Sequence, residues 1–156
     1  MKKKINKKEA LRKTILVIED ERPLLEVVHA RLKKKGFEVM TARSVDQVFN
    51  AGLDTEDMGI IAAENIEQAL AYLENLQNID AVWLDHNLLG KENGIDFVKK
   101  LKANGGLWKK IPIFVISNTE NSKTIDSYIK LGVSKYYVKS NHRLDEIIKD
   151  IDTRLS

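Results

Sequence analysis

Four groups of polar residues stand directly after short apolar runs. Glu19, Asp20 and Glu21 follow Ile15 to Ile18, Asp85 follows Ala81 to Leu84, Ser117, Asn118 and Thr119 follow Ile113 to Ile116, and Lys139 follows Tyr136 to Val138. If Glu19, Asp20 and Asp85 converge, each pair at about 4 Å repels by roughly 4 kcal/mol at an effective dielectric near 20, a large share of a domain's net stability. Such a pocket needs a cation. A hard divalent ion with oxygen ligands fits best, and Mg²⁺ is favoured because it accepts two or three protein ligands and keeps water or phosphate oxygens for the rest. Lys139 suits an anionic ligand oxygen, and the Ser117 hydroxyl can donate to another oxygen of the same group. A carboxylate beside Mg²⁺, flanked by a hydroxyl and a lysine, is equipped to accept a phosphoryl group, with Asp85 as nucleophile.

The elements that must position these groups alternate along the chain. Strands are expected at Ile15 to Ile18, Phe37 to Met40, Ala81 to Leu84, Ile113 to Ile116 and Tyr136 to Val138, all short and nearly continuous in apolarity, as in strands buried on both faces. Between them, Ile66, Ala69, Leu70, Leu73 and Leu76 keep a helical period, as do Leu144, Ile147, Ile148, Ile151 and Leu155. Three more helices are marked by Pro23 to Leu32 before Gly36, by Ile95, Val98 and Leu101 before Gly105, and by Ile125, Tyr128 and Ile129 before Gly132. Strict alternation of this kind predicts a parallel sheet covered by helices, with ligands at the carboxyl ends of its strands. Residues 43–61 interrupt the rhythm. Ser44 and Gln47 have capping-box spacing ahead of Val48 and Phe49, which predicts a short extra helix and an extended return through Ile60 and Ile61; whether Ile60 to Ala62 becomes a strand, or replaces Phe37 to Met40 in the sheet, is open.

Composition narrows the function classes. The 156 residues suit one domain, and the absence of cysteine excludes a disulfide framework, a thiolate metal site and a cysteine nucleophile. The formal charge of +3 is unevenly spread: residues 1–13 hold seven basic groups and one acidic group, so residues 14–156 carry net −3. The expectation is a basic, disordered tail over 1–13 and a slightly acidic body that does not read nucleic acid sequence. No run approaches the roughly 18–20 apolar residues of a membrane span, so a cytoplasmic protein is expected.

At these residues the chain resembles the receiver domains of response regulators in two-component signalling. ILVIEDE resembles the first strand with its acidic pair, VWLDHNLLG the strand ending in the phosphoacceptor, VISNT the strand ending in Ser or Thr, and LGVSKYYVKS the segment carrying the lysine. The resemblance implies a flavodoxin-like, doubly wound sheet of five parallel strands in the order 2-1-3-4-5, helices on both faces, and a helical insertion after the second strand. It implies that Asp85 takes a phosphoryl group from a sensor histidine kinase or histidine phosphotransfer protein. Glu19, Asp20, Asp85 and the backbone carbonyl of Asn87 would hold Mg²⁺, Ser117 and Lys139 would bind phosphoryl oxygens, and Tyr136 would move with Ser117. With little chain left after Leu155, a stand-alone receiver is expected, signalling through a downstream protein target, with slow autodephosphorylation and homodimerisation left open.

Four positions depart from the family's usual pattern. Glu19 stands where Asp is common, Leu89 where proline is common, Asn118 in place of a small residue, and Ser140 in place of a proline whose peptide bond is often cis. A cis bond costs roughly 2.5–4 kcal/mol without proline, so Lys139 reaches the site either past stored strain or by a trans path. Asn118, Ser140 and the insertion over 43–61 favour the alternative of a phosphorylation-independent interaction module, whereas Glu19 keeps its charge and should still bind metal. An aspartyl phosphatase would want a second acid two residues after the nucleophile, where Asn87 stands. His86, extended beside Asp85, is expected to point away from it.

Overall fold

Runs that are apolar at every position are satisfied only when both faces of a sheet are covered. The computed structural model, which describes residues 13–19, 21–40, 79–88, 93–103 and 110–156, does this with nine elements. They are β1 (Thr14–Ile18), α1 (Arg22–Lys35), β2 (Glu38–Met40), β3 (Ala81–Leu84), α2 (Gly94–Ala103), β4 (Ile113–Ser117), α3 (Ser122–Lys130), β5 (Lys135–Val138) and α4 (Leu144–Leu155). The strands form one parallel sheet in the order β2-β1-β3-β4-β5, the expected 2-1-3-4-5.

Alternate residues of each strand point to opposite faces. Leu16, Ile18, Val82, Leu84, Ile113 and Val115 meet Phe97, Val98 and Leu101 of α2 and Tyr128 of α3. Ile15, Val17, Ala81, Trp83, Phe114, Ile116 and Tyr137 meet Leu25, Val28 and Leu32 of α1 and Ile147, Ile148 and Ile151 of α4. Each fully buried side chain of this size contributes about 1.5–3 kcal/mol, so neither face can be stripped without losing the sheet.

Local signals set the helix limits. Pro23 lies in the first turn of α1, Lys33, Lys34 and Lys35 complement the dipole at its end, and Gly36 closes it in the left-handed region (φ 106) with its N–H bonded to the carbonyls of Leu32 and Lys33. Asn93 and Asp96 cap α2 reciprocally, each backbone N–H donating to the other's side chain (2.9 and 3.2 Å). The Asn121 side chain accepts from the N–H groups of Lys123 and Thr124 at the start of α3.

The limits differ from the expected ones by single residues: β1 begins at Thr14, β2 at Glu38, β4 reaches Ser117 and β5 begins at Lys135. In α3 the expected apolar face narrows, since Tyr128 is buried and Ile129 is 61% exposed. Glu38–Met40 does pair with β1. Residues 1–12 of the basic tail, Asp20, the insertion over 43–61, the helix of Ile66 to Leu76, Leu89, Gly105 and Trp108 lie outside the described residues. Among the described residues every peptide bond is trans, Lys139–Ser140 included, and Lys139 opens a short 3₁₀ turn, Lys139–Asn141.

Candidate functional site

Register brings the polar residues together. Ile18 pairs with Leu84, so Glu19 and Asp85 leave adjacent central strands side by side; Ser117 pairs with Val138, which sets Lys139 one residue beyond it. Asp85 is held at its strand exit by its own N–H, which donates to the Ile18 carbonyl (3.0 Å). Among the described residues Glu19, Asp85 and Ser117 are the buried polar ones, 2%, 5% and 0% exposed.

Lys139 spans the two carboxylates. Its Nζ donates to Glu19 Oε2 at 3.3 Å and to Asp85 Oδ2 at 3.5 Å. The Glu21 N–H donates to the other Glu19 oxygen (3.2 Å), and the Asn87 N–H to Asp85 Oδ1 (3.4 Å). Burial and the neighbouring Asp85 charge push the Glu19 carboxyl up to about 8, against the opposing pull of Lys139. Burial works against the Lys139 charge, but the attraction of Glu19 and Asp85 outweighs it and raises the ammonium above its usual value. One ammonium therefore leaves the pair of acids short of positive charge. That is the donor set a hard divalent cation fits: all oxygen, buried, and still repelling. Among the described residues no group of three or more His, Cys, Asp or Glu forms, and Asp20, the third expected acid, is not among them.

On the opposite side of Asp85, Ser117 Oγ accepts the Thr119 N–H (3.2 Å), and the Tyr136 hydroxyl donates to the Thr119 carbonyl (2.8 Å). Burial raises the Tyr136 phenol, opposed by a hydrogen bond with Ser117. Tyr136 thus lies on the Ser117 side of the sheet, while Tyr137 is buried on the other face with its hydroxyl on Asp150 (2.5 Å). Asn118 and Ser140 are exposed.

The expected site residues that the structure describes, Glu19, Asp85, Asn87, Ser117, Tyr136 and Lys139, all fall at this one edge. The His86 ring has a partner of its own: its Nδ1 shares a 2.6 Å hydrogen bond with the Tyr128 hydroxyl of α3, the tautomer setting the donor. Burial lowers the His86 imidazole against the raising influence of Asp85 and Asp96. No sequence signal pairs these two residues, which lie 42 positions apart.

A doubly wound 2-1-3-4-5 sheet with an acidic, lysine-bridged pocket at its carboxyl edge defines the class of two-component receivers. Residues 45–152 match the family model described as the response regulator receiver domain, and the chain belongs to that family. The matched stretch contains Asp85, Asn87, Ser117, Tyr136 and Lys139; Glu19 joins them through β1, which precedes it. The rice (Oryza sativa subsp. indica) protein "Two-component response regulator-like PRR37" is 29% identical over 111 residues, covering 69% of this chain; the chain spans about 15% of that relative's length. A response regulator receiver protein from Pseudomonas putida superposes with a TM-score of 0.70 at 18% identity, covering 91% of this chain and 97% of that one. The phosphorylated cyanobacterial phytochrome response regulator RcpA gives 0.66 at 23% identity, with 90% and 91% covered. At these identities the two structures speak for the fold. Among the described residues no helix is long and apolar enough to cross a membrane.

Proposed function

We propose that the chain is a phosphoryl-accepting receiver, taking a phosphoryl group onto Asp85 from a histidine kinase or histidine phosphotransfer protein and signalling through a protein contact. The observation that carries this reading is the Lys139 bridge to two buried carboxylates, 3.3 and 3.5 Å, beside a fully buried Ser117. Burying two like charges is costly, and a purely structural edge would carry apolar residues there.

In the transfer, a carboxylate oxygen of Asp85 attacks phosphorus, a P–O bond forms, the P–N bond to the donor imidazole breaks, and its electron pair returns to that nitrogen. Lys139 turns from the free carboxylates to a phosphoryl oxygen, and Ser117, whose Oγ accepts the Thr119 N–H, turns to donate its O–H to another. Glu19, Asp20, Asp85 and the Asn87 carbonyl would hold Mg²⁺, which when bound supplies charge neutralisation between carboxylates and phosphoryl oxygens. Asp85 and Ser117 lie too deep for bulk water to do the same. Slow hydrolysis of the acyl phosphate would reset the site.

Incubation with acetyl phosphate and Mg²⁺, followed by intact mass, tests the reading. One added phosphoryl group, lost in Asp85→Ala, is expected; an unmodified parent chain would leave the phosphorylation-independent interaction module. The output partner and any homodimer are to be sought by comparing phosphorylated and unphosphorylated chains.

A further inference from the structure

Tyr128 carries contacts that phosphoryl transfer does not use. It is fully buried, and it is the one buried residue of α3. Its hydroxyl meets His86 Nδ1 at 2.6 Å, its ring stands edge-on to the His86 ring (centroids 5.6 Å), and its other side meets the Tyr136 ring, also at 5.6 Å. A Cβ on residue 94 would overlap that hydroxyl, so the glycine at the start of α2 is what lets Tyr128 reach the strand edge. The Gly94 N–H donates back to the His86 carbonyl (3.0 Å), tying the loop after Asp85 to the same point.

Two arms therefore lead to this one side chain, the first from Asp85 and the second from Ser117 at the end of the neighbouring strand. The first passes through His86, the next residue in the chain. The second passes through Ser117, whose Oγ holds the Thr119 N–H, and through the Thr119 carbonyl, which holds the Tyr136 hydroxyl. When Ser117 turns toward a phosphoryl oxygen the Thr119 anchor is disturbed, and Tyr136 presses on or leaves the Tyr128 ring. Close-packed interiors transmit such a displacement instead of absorbing it. Because α3 enters the core through this one side chain, moving Tyr128 moves the helix.

We infer that Tyr128 is the joint at which both arms meet, and that its hydrogen bond with His86 couples the Asp85 site to α3. Both are positioning residues. The inference rests on Asp85 being the phosphoryl acceptor, and the test separates the two ideas.

Amide chemical shifts are followed on adding beryllofluoride with Mg²⁺ to the whole chain. In the parent, signals from the Asp85 loop and from Ser122 to Lys130 should both move. Tyr128→Phe keeps the ring and removes the hydroxyl; His86→Leu removes the partner; His86→Asn offers an amide where Nδ1 stands. In Tyr128→Phe and His86→Leu the α3 shift changes should fall below about half of the parent's while the Asp85-loop changes persist, and His86→Asn should restore them in part. If the Asp85 loop responds everywhere and α3 moves equally in all chains, the joint is overturned and the receiver reading stands. If the Asp85 loop of the parent does not respond, both fall. A merely structural hydrogen bond would lower thermal stability in Tyr128→Phe without changing the α3 response, which also overturns the joint.

Discussion

Glu19→Gln removes a buried charge while keeping the side chain's shape, and its effect on stability is set by proton linkage. In the folded protein the Glu19 carboxyl is raised from 4.5 to about 8, chiefly by burial and then by the Asp85 charge. Between those two values the folded state retains a proton that the unfolded chain has released, so stability falls as pH rises through the window and levels off beyond either end. At roughly 1.4 kcal/mol per pH unit the full span amounts to about 5 kcal/mol, an upper bound because Lys139, 3.3 Å away, can settle closer to the charged form. Glutamine has no such slope. The variant should match the parent below the window and exceed it above, by up to about 10–20 °C in Tm at ~2–4 °C per kcal/mol. Calorimetric melts of both chains in chelator, from acid to alkaline buffer, measure this directly. Parallel curves, or a variant less stable than the parent in alkali, would refute the account of a carboxyl burdened by burial and a like charge. Saturating Mg²⁺ should flatten the parent's slope, because the bound cation takes the place of the proton that Glu19 retains.

Lys139→Ala removes the one ammonium that spans Glu19 and Asp85, so it should raise Mg²⁺ affinity about tenfold by calorimetry while slowing phosphorylation by acetyl phosphate; weaker Mg²⁺ binding would show that Lys139 does not compete for this pocket. Asp150→Asn weakens a carboxylate that accepts from Tyr137, Lys135 and Arg154, and urea unfolding should show a loss of about 1–2 kcal/mol at neutral pH. Because those partners, led by Tyr137, depress the Asp150 carboxyl from 3.8 to about 2, its contribution is complete above the upper value and disappears as pH falls through the lower one, so parent and variant should converge in strong acid. Gly94→Ala places a methyl against the Tyr128 hydroxyl and close to the Asp85 carbonyl (3.0 Å), which should cost about 1–3 kcal/mol. Adding Tyr128→Phe should return part of that loss, and strictly additive effects in the double-mutant cycle would mean that the two groups do not collide.

The alternation of buried strands with periodic helices was legible in the chain because a strand covered on both faces must be apolar at every position, as Val82, Trp83 and Leu84 are. The polar residues that end those runs were legible for the same reason: Glu19, Asp85, Ser117 and Lys139 break the apolarity where the sheet edge begins. The asymmetry of the α3 face was not, since Ile129 is as apolar as its neighbours and only packing exposes it while burying Tyr128. Nor was the path to Lys139: Ser140 was compatible with either peptide isomer, and the fold uses the trans bond and a 3₁₀ turn. The Asn93–Asp96 cap could have been found from its spacing. The meeting of His86 with Tyr128 could not, because it depends on how α3 lies across the sheet and on a glycine at 94 that leaves room for a hydroxyl. Composition and period determined which strand residues enter the core and which stand at the strand edge. Only the register of β1 against β3 and of β4 against β5, set by packing on both faces at once, decided that one lysine would stand between two buried acids.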